Sequence, residues 1–149
     1  MKYAFQKNQE NSAKACGRAL SISTKKSVEI ANAIRGKPLQ KTIDYLERVM
    51  KMEKAIPIRK YGRDTAHKKE IGPGKYPVKA VKEILNIIRS AASNAQNKGM
   101  DTKSLYIEHI SAHKASQPWH SGRQRRSRMK RAHIQVVLKE LKVSKADKK

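Results

Sequence analysis

Acidic residues are scarce in this chain of 149 residues: 12 Asp and Glu stand against 35 Lys and Arg, for a formal net charge of +23. Between His109 and Lys139 there are none at all. A free protein with that charge repels itself, so the composition asks for a stoichiometric polyanion as partner. Cysteine is nearly missing as well. Cys16 stands alone, which excludes an internal disulfide and any thiolate metal cluster, and suits a reducing compartment. Without a base beside it in the sequence, Cys16 reads as a small semi-buried residue and not as a nucleophile. Long apolar runs are also lacking. No stretch approaches the length of a membrane span, the basic segment carries no helical apolar stripe, and Met1 to Asn8 has no signal-like apolar core, so the expected location is the cytoplasm, off the membrane.

Three kinds of chemistry fail for want of residues. His109, His113, His120 and His133 cluster in sequence, but on an extended strand His109 and His113 stand about 13 Å apart, too far to share one ion. Two-metal nucleases need converging carboxylates, whereas Glu29, Asp44, Glu47, Glu53 and Glu83 are spread over helices and read as solvated partners of lysines. Gly72-Pro73-Gly74-Lys75 lacks the spacing of a phosphate-binding loop and reads as a turn. Neither a catalytic site, a metal nor a cofactor is expected.

What is present organises one domain over residues 1–149, long enough for a real core despite only 38% apolar content. Residues 1–12 read as an arm that orders against a partner. Ala13 to Ile22 alternates weakly, as a strand does, and Ser23 and Thr24 precede a helix carrying Val28, Ile30, Ala31 and Ile34. Gly36 ends it, and Pro38 opens a second helix with Leu39, Ile43, Leu46, Val49 and Met50 on one stripe. Ala55 to Gly74 reads as a long basic loop. Pro77 opens the longest helix, whose face runs from Val78 through Val81, Ile84, Leu85 and Ile88 to Ala95, with Gly99 at its end.

Leu105 to Leu138 reads as a long β-hairpin. Its base has apolar sides at Leu105 and Ile107 and at Ile134, Val136 and Leu138; beyond Ser111 and before His133 both sides are polar or cationic. Such a ladder is marginal alone and needs an anion around it, and arms of about 12 residues would reach roughly 40 Å. The predicted fold is α+β: three helices packed on a small antiparallel sheet, with the hairpin protruding. The predicted body covers 13–108 and 134–142, the basic hairpin 109–133 and a basic tail 143–149. Nucleic acid is the expected partner. An architectural DNA-binding protein would use Pro118-Trp119 as a minor-groove wedge. Cations on all sides suit burial in folded RNA better, where Trp119 reads equally as a surface for an unpaired base and as a residue packing its own loop.

Several segments carry a resemblance. Ile22-Ser23-Thr24-Lys25-Lys26, Ala33-Ile34-Arg35-Gly36-Lys37-Pro38-Leu39, Ala91-Ala92-Ser93-Asn94-Ala95, Tyr106-Ile107-Glu108-His109-Ile110 and His133-Ile134-Gln135-Val136-Val137-Leu138 together resemble the large-subunit ribosomal protein L twenty-two family in its archaeal and eukaryotic form. The loop from Ile56 to Tyr76 is similar to the insertion that marks those members. The resemblance implies a structural, non-enzymatic constituent of the ribosome that binds ribosomal RNA and neighbouring ribosomal proteins without forming a homo-oligomer. Its hairpin would line the exit tunnel against the nascent peptide, through a tip of Trp119, His120, Ser121, Gly122, Arg123, Gln124, Arg125 and Arg126 that is shorter than usual. The residues expected on RNA are Arg18, Lys25, Lys26, Arg35 and Lys37 in the first half, and Arg59, Lys60 and Arg63 in the loop. On the hairpin they are Lys114, Trp119, His120, Arg123, Arg125, Arg126, Arg128, Lys130, Arg131 and His133. An extra-ribosomal RNA-binding role remains compatible with the same surfaces.

Overall fold

The structure, a computed structural model, describes residues 3–5 and 11–140. The expected tail at 143–149 and most of the N-terminal arm lie outside the described residues. The chain runs β1 (Ser12–Leu20), α1 (Thr24–Ile34), α2 (Leu39–Met50), β2 (Ile56–Pro57), β3 (His67–Lys68), β4 (Gly72–Lys75), α3 (Val78–Asn97), β5 (Leu105–Lys114) and β6 (Ala132–Glu140). Among the described residues it is an α+β fold with three α-helices. There are two antiparallel sheets where one was expected: β1-β6-β5 carries the core, and β2-β4-β3 forms inside the basic segment read as a loop. Those strands are only two to four residues long and rich in Gly and Pro, so they present no alternating pattern to find in the sequence.

The helices cover one face of the main sheet, α3 over β1 and β6 and α1 over β5. Ala13 and Ala15 of β1, Leu105, Ile107 and Ile110 of β5, and Ile134, Val136 and Leu138 of β6 meet Ile30, Ile34, Ile84 and Ile88 from the helices, all in one buried cluster. The side chains of β5 at 105 and 107 obey the period of two, but Ile110 breaks it. A register shift between Ile107 and His109 accounts for the change: one extra residue turns His109 to the outer face and brings Ile110 opposite Val136. Val137 and Gln135 are buried on that outer face, where the Ala4 amide donates to Gln135 Oε1 at 2.9 Å and Phe5 stacks on the His109 ring with centroids 4.9 Å apart.

Both edges of the sheet are occupied. Along β5 the segment after α1 supplies the bonds: Gly36 N–H donates to Ile107 O at 2.8 Å, Ile107 N–H to Lys37 O at 3.0 Å, and Arg35 Nη2 to Ile110 O at 2.9 Å. Along β1, Asn94 Nδ2 of α3 and Lys98 Nζ just beyond its end reach Lys14 O and Ser12 O at 2.9 and 2.8 Å. Unpaired edges invite strand addition by other chains, and these backbone and side-chain groups block it. Gly36 must be glycine-like for this: its φ of +75 turns the chain from α1 onto the strand.

A second irregularity lies in β1, between Gly17 and Leu20, where Ala19 takes φ +49. Its amide donates to His133 Nδ1 at 3.1 Å and its carbonyl accepts from Arg131 Nη1 at 3.1 Å. Left-handed backbone strains any residue with a Cβ by about 1–2 kcal/mol, against roughly 0.5–1 kcal/mol of extra unfolded-chain entropy for glycine. Ala19→Gly is therefore expected to stabilise the fold by about 0.5–1 kcal/mol, measured as a rise in the urea midpoint at unchanged slope.

Candidate nucleic-acid interface

The main hairpin divides in two. Its ladder of β5 and β6 ends at Lys114 opposite Ala132. Beyond it, residues 115–131 are not regular strands: Ala115 N–H still donates to Arg131 O, Met129 N–H to Pro118 O and His120 N–H to Ser127 O, with one bridge of Trp119 to Arg128. A short 3-10 turn at Gly122–Gln124 follows, and Arg125 Nε closes onto Gly122 O at 3.3 Å. The regular two-stranded form expected out to the tip is thus replaced by an irregular loop, because like charges along both arms offer no cross-strand pairs to hold a ladder. Apolar support persists slightly further than the pattern indicated, to Ala112 and the buried Ala115.

Cations crowd this outer segment. Lys114, Arg123, Arg125, Arg126, Arg128 and Lys130 are exposed, as are Ser121, Gly122 and Gln124, while His120, Arg131 and His133 are half-buried. Trp119 is 55% exposed, yet its ring is not bare: the Arg128 guanidinium sits 4.2 Å from the ring centroid. A cation held on an aromatic face in this way is worth about 0.5–1 kcal/mol at an exposed site and orients both groups.

A second basic surface forms around the start of α1. Lys25 and Lys60 both lie over the Tyr61 ring, at 5.8 and 5.7 Å, and these residues line a cleft of about 370 Å³ together with Lys26 and Lys75. The loop that brings Lys60 there is pinned by an acid. Glu29 is only 2% exposed, and its carboxylate accepts the backbone N–H groups of Arg59 (3.1 Å), Lys60 (2.9 Å) and Tyr61 (2.6 Å). The expectation of a solvated Glu29 is therefore corrected; its one signal was being the single acid of α1, set between Val28 and Ile30. Lys75 and Tyr61 were missed too, because the second sheet brings Lys75 to α1 and the Glu29 carboxylate brings Tyr61.

Other expected contacts also serve the fold. Arg35 and Arg131 donate to backbone carbonyls as described, His133 accepts from Ala19, Arg63 Nε donates to Arg59 O, and Lys37 lies 5.2 Å from the Tyr45 ring centroid. Arg18 is exposed on β1, away from these bonds. His109 lies within the sheet; burial, then the charge of Arg35, pushes its pKa below the usual histidine value. Among the described residues no group of three or more His, Cys, Asp or Glu is placed to hold a metal ion, and no helix is long and apolar enough to cross a membrane.

Residues 15–139 match the family model described as Ribosomal protein L22p/L17e. The chain belongs to this family. Archaeal relatives named large ribosomal subunit protein uL22 agree. The protein of Methanopyrus kandleri is 41% identical over 140 residues, covering 88% of each chain. That of Nanoarchaeum equitans is 40% identical over 141 residues, 89% of this chain and 81% of its own. That of Methanocaldococcus jannaschii is 38% identical over 148 residues, 94% of this chain and 95% of its own. Family membership makes the L22p/L17e chain a structural ribosomal protein of the large subunit and not an enzyme. The match also spans the whole of β5, the outer loop and nearly all of β6, so the basic outer segment belongs to the family domain.

Proposed function

We propose that this chain binds ribosomal RNA in the large subunit through its outer hairpin and the basic surface at α1, and that the tip from Trp119 to Arg126 lines the nascent-peptide exit tunnel. The observation that carries the reading is the acid-free segment from His109 to Lys139, whose outer part presents Arg123, Arg125, Arg126, Arg128 and Lys130 to solvent on an irregular loop beyond the last strand pair. Among the described residues no carboxylate pairs with a cation of this loop. RNA phosphates do so, and each contact releases counterions. Exposed Trp119, with Arg128 on its ring, supplies a flat surface suited to unpaired bases, which RNA offers and regular DNA does not.

The protein is expected to co-sediment with large subunits and to remain there after a moderate salt wash, with a photo-crosslinker at position 123 reaching RNA and, during translation, the nascent peptide. Recovery along the nucleoid on bent DNA would overturn the RNA reading. Crosslinks to RNA with none to nascent chains would remove the tunnel placement alone.

A further inference from the structure

The outer hairpin does not stand clear of the body on all sides. His120 and residues 128–131 face Ser21–Ser23, Lys26 and Tyr76–Ala80 across an open cleft of about 710 Å³. Its rim is cationic: Lys26, Lys79, Arg128, Lys130 and Arg131 border it, and no carboxylate lies among the described residues that line it. Its inner surface is apolar, with Ile22, Pro77 and Ala80 buried and Val78 and Met129 half-buried. The starts of α1 and α3 both border the same space, and neither has an acid in its first turn or a side-chain cap on its amides. Each adds positive partial charge there.

These features together fix the chemistry of the occupant. The cations ask for phosphate, but a paired duplex offers only its phosphate rails and leaves the half-buried apolar surface of Met129 and Val78 in water. A volume of about 710 Å³ falls in the range that encloses a small organic group, roughly 300–1,000 Å³. An unpaired base with its own phosphates satisfies both demands: the flat apolar ring goes inward and the charge stays at the rim. Arg128 is already oriented by Trp119 at 4.2 Å, which holds its guanidinium at the rim for a phosphate.

We propose that this cleft takes a single unpaired nucleotide turned out of folded RNA, base against Met129 and Val78 and flanking phosphates on Lys26, Lys79 and Arg128. The proposal rests on the RNA-binding reading above. Titrating the full chain at fixed salt with two RNA duplexes of one sequence, one perfectly paired and one with a single bulged adenosine, tests it. The bulged RNA is expected to bind about 10-fold tighter, the size of one base stack. Val78→Trp, which fills the cleft, and Met129→Ser, which strips its apolar wall from a loop position, leave the charge unchanged. Both are expected to abolish the preference for the bulge while keeping the affinity for the paired duplex. Equal affinity of the unaltered chain for the two RNAs overturns the nucleotide site and leaves the RNA reading standing. Retention of the preference in Met129→Ser overturns it as well. Failure to bind either RNA overturns both.

Discussion

Replacing Glu29 by alanine is expected to lower the folding free energy by about 3 kcal/mol. The carboxylate is 2% exposed and accepts three backbone N–H groups, from Arg59, Lys60 and Tyr61. A hydrogen bond to a charged group contributes about 1.5–3 kcal/mol, and a buried donor left without a partner is destabilising by a similar amount. The loop can swing open and give its amides to water, so the loss stays well below three times that figure. Glu29→Gln keeps an acceptor oxygen and the volume, and is expected to cost about half as much. Urea denaturation gives both values, and amide exchange at residues 59–61 should accelerate in Glu29→Ala more than in the core strands. RNA binding separates two effects. Removing an acid raises the net charge, so charge alone would tighten binding; loss of the pinned loop scatters Lys60 and Tyr61 from Lys25 and weakens it. Tighter binding by Glu29→Ala would show that the loop geometry is irrelevant to the interface.

The second large effect concerns salt. Neutralising Arg125, Arg126 and Arg128 together is expected to flatten the dependence of RNA affinity on salt. If the hairpin contacts roughly 6–8 phosphates, affinity of the unaltered chain falls by about three orders of magnitude between 50 and 200 mM salt, since each contact contributes ~0.7–0.9 to the logarithmic slope. Three lost contacts should make the slope shallower by about 2. All three arginines are exposed, and only Arg125 and Arg128 hold visible partners, Gly122 O and the Trp119 ring, so the fold should survive. A circular dichroism spectrum checks that. An unchanged slope would transfer the binding to the surface of Lys25, Lys60 and Lys75.

The helices were legible because their signal is local: stripes at Leu39, Ile43, Leu46 and Val49, or at Val81, Ile84, Leu85 and Ile88, repeat within one element and need no partner to be seen. The base of the hairpin was legible for the same reason. Where the period broke, reading failed. The extra residue between Ile107 and His109 moves Ile110 into the core, and no residue type marks it. The second sheet was hidden by strands of two to four residues. In the candidate interface, the cations of the hairpin were legible as a run along the chain, whereas Lys75, Lys79 and Tyr61 were not, because their neighbours come from other elements.

By itself the sequence determined the charge of this protein and hence its need for a polyanion, since a net +23 and an acid-free segment are sums over residues that folding cannot alter. It determined the three helices and the two strands of the apolar hairpin base, which follow from periodicity. Only the tertiary structure decided which acid is buried, because the amides that bind Glu29 come from 30 to 32 residues away. It alone decided how the sheet edges are closed and where the outer loop faces the starts of α1 and α3. Those depend on distances between segments remote in the chain, and a linear pattern carries no distance.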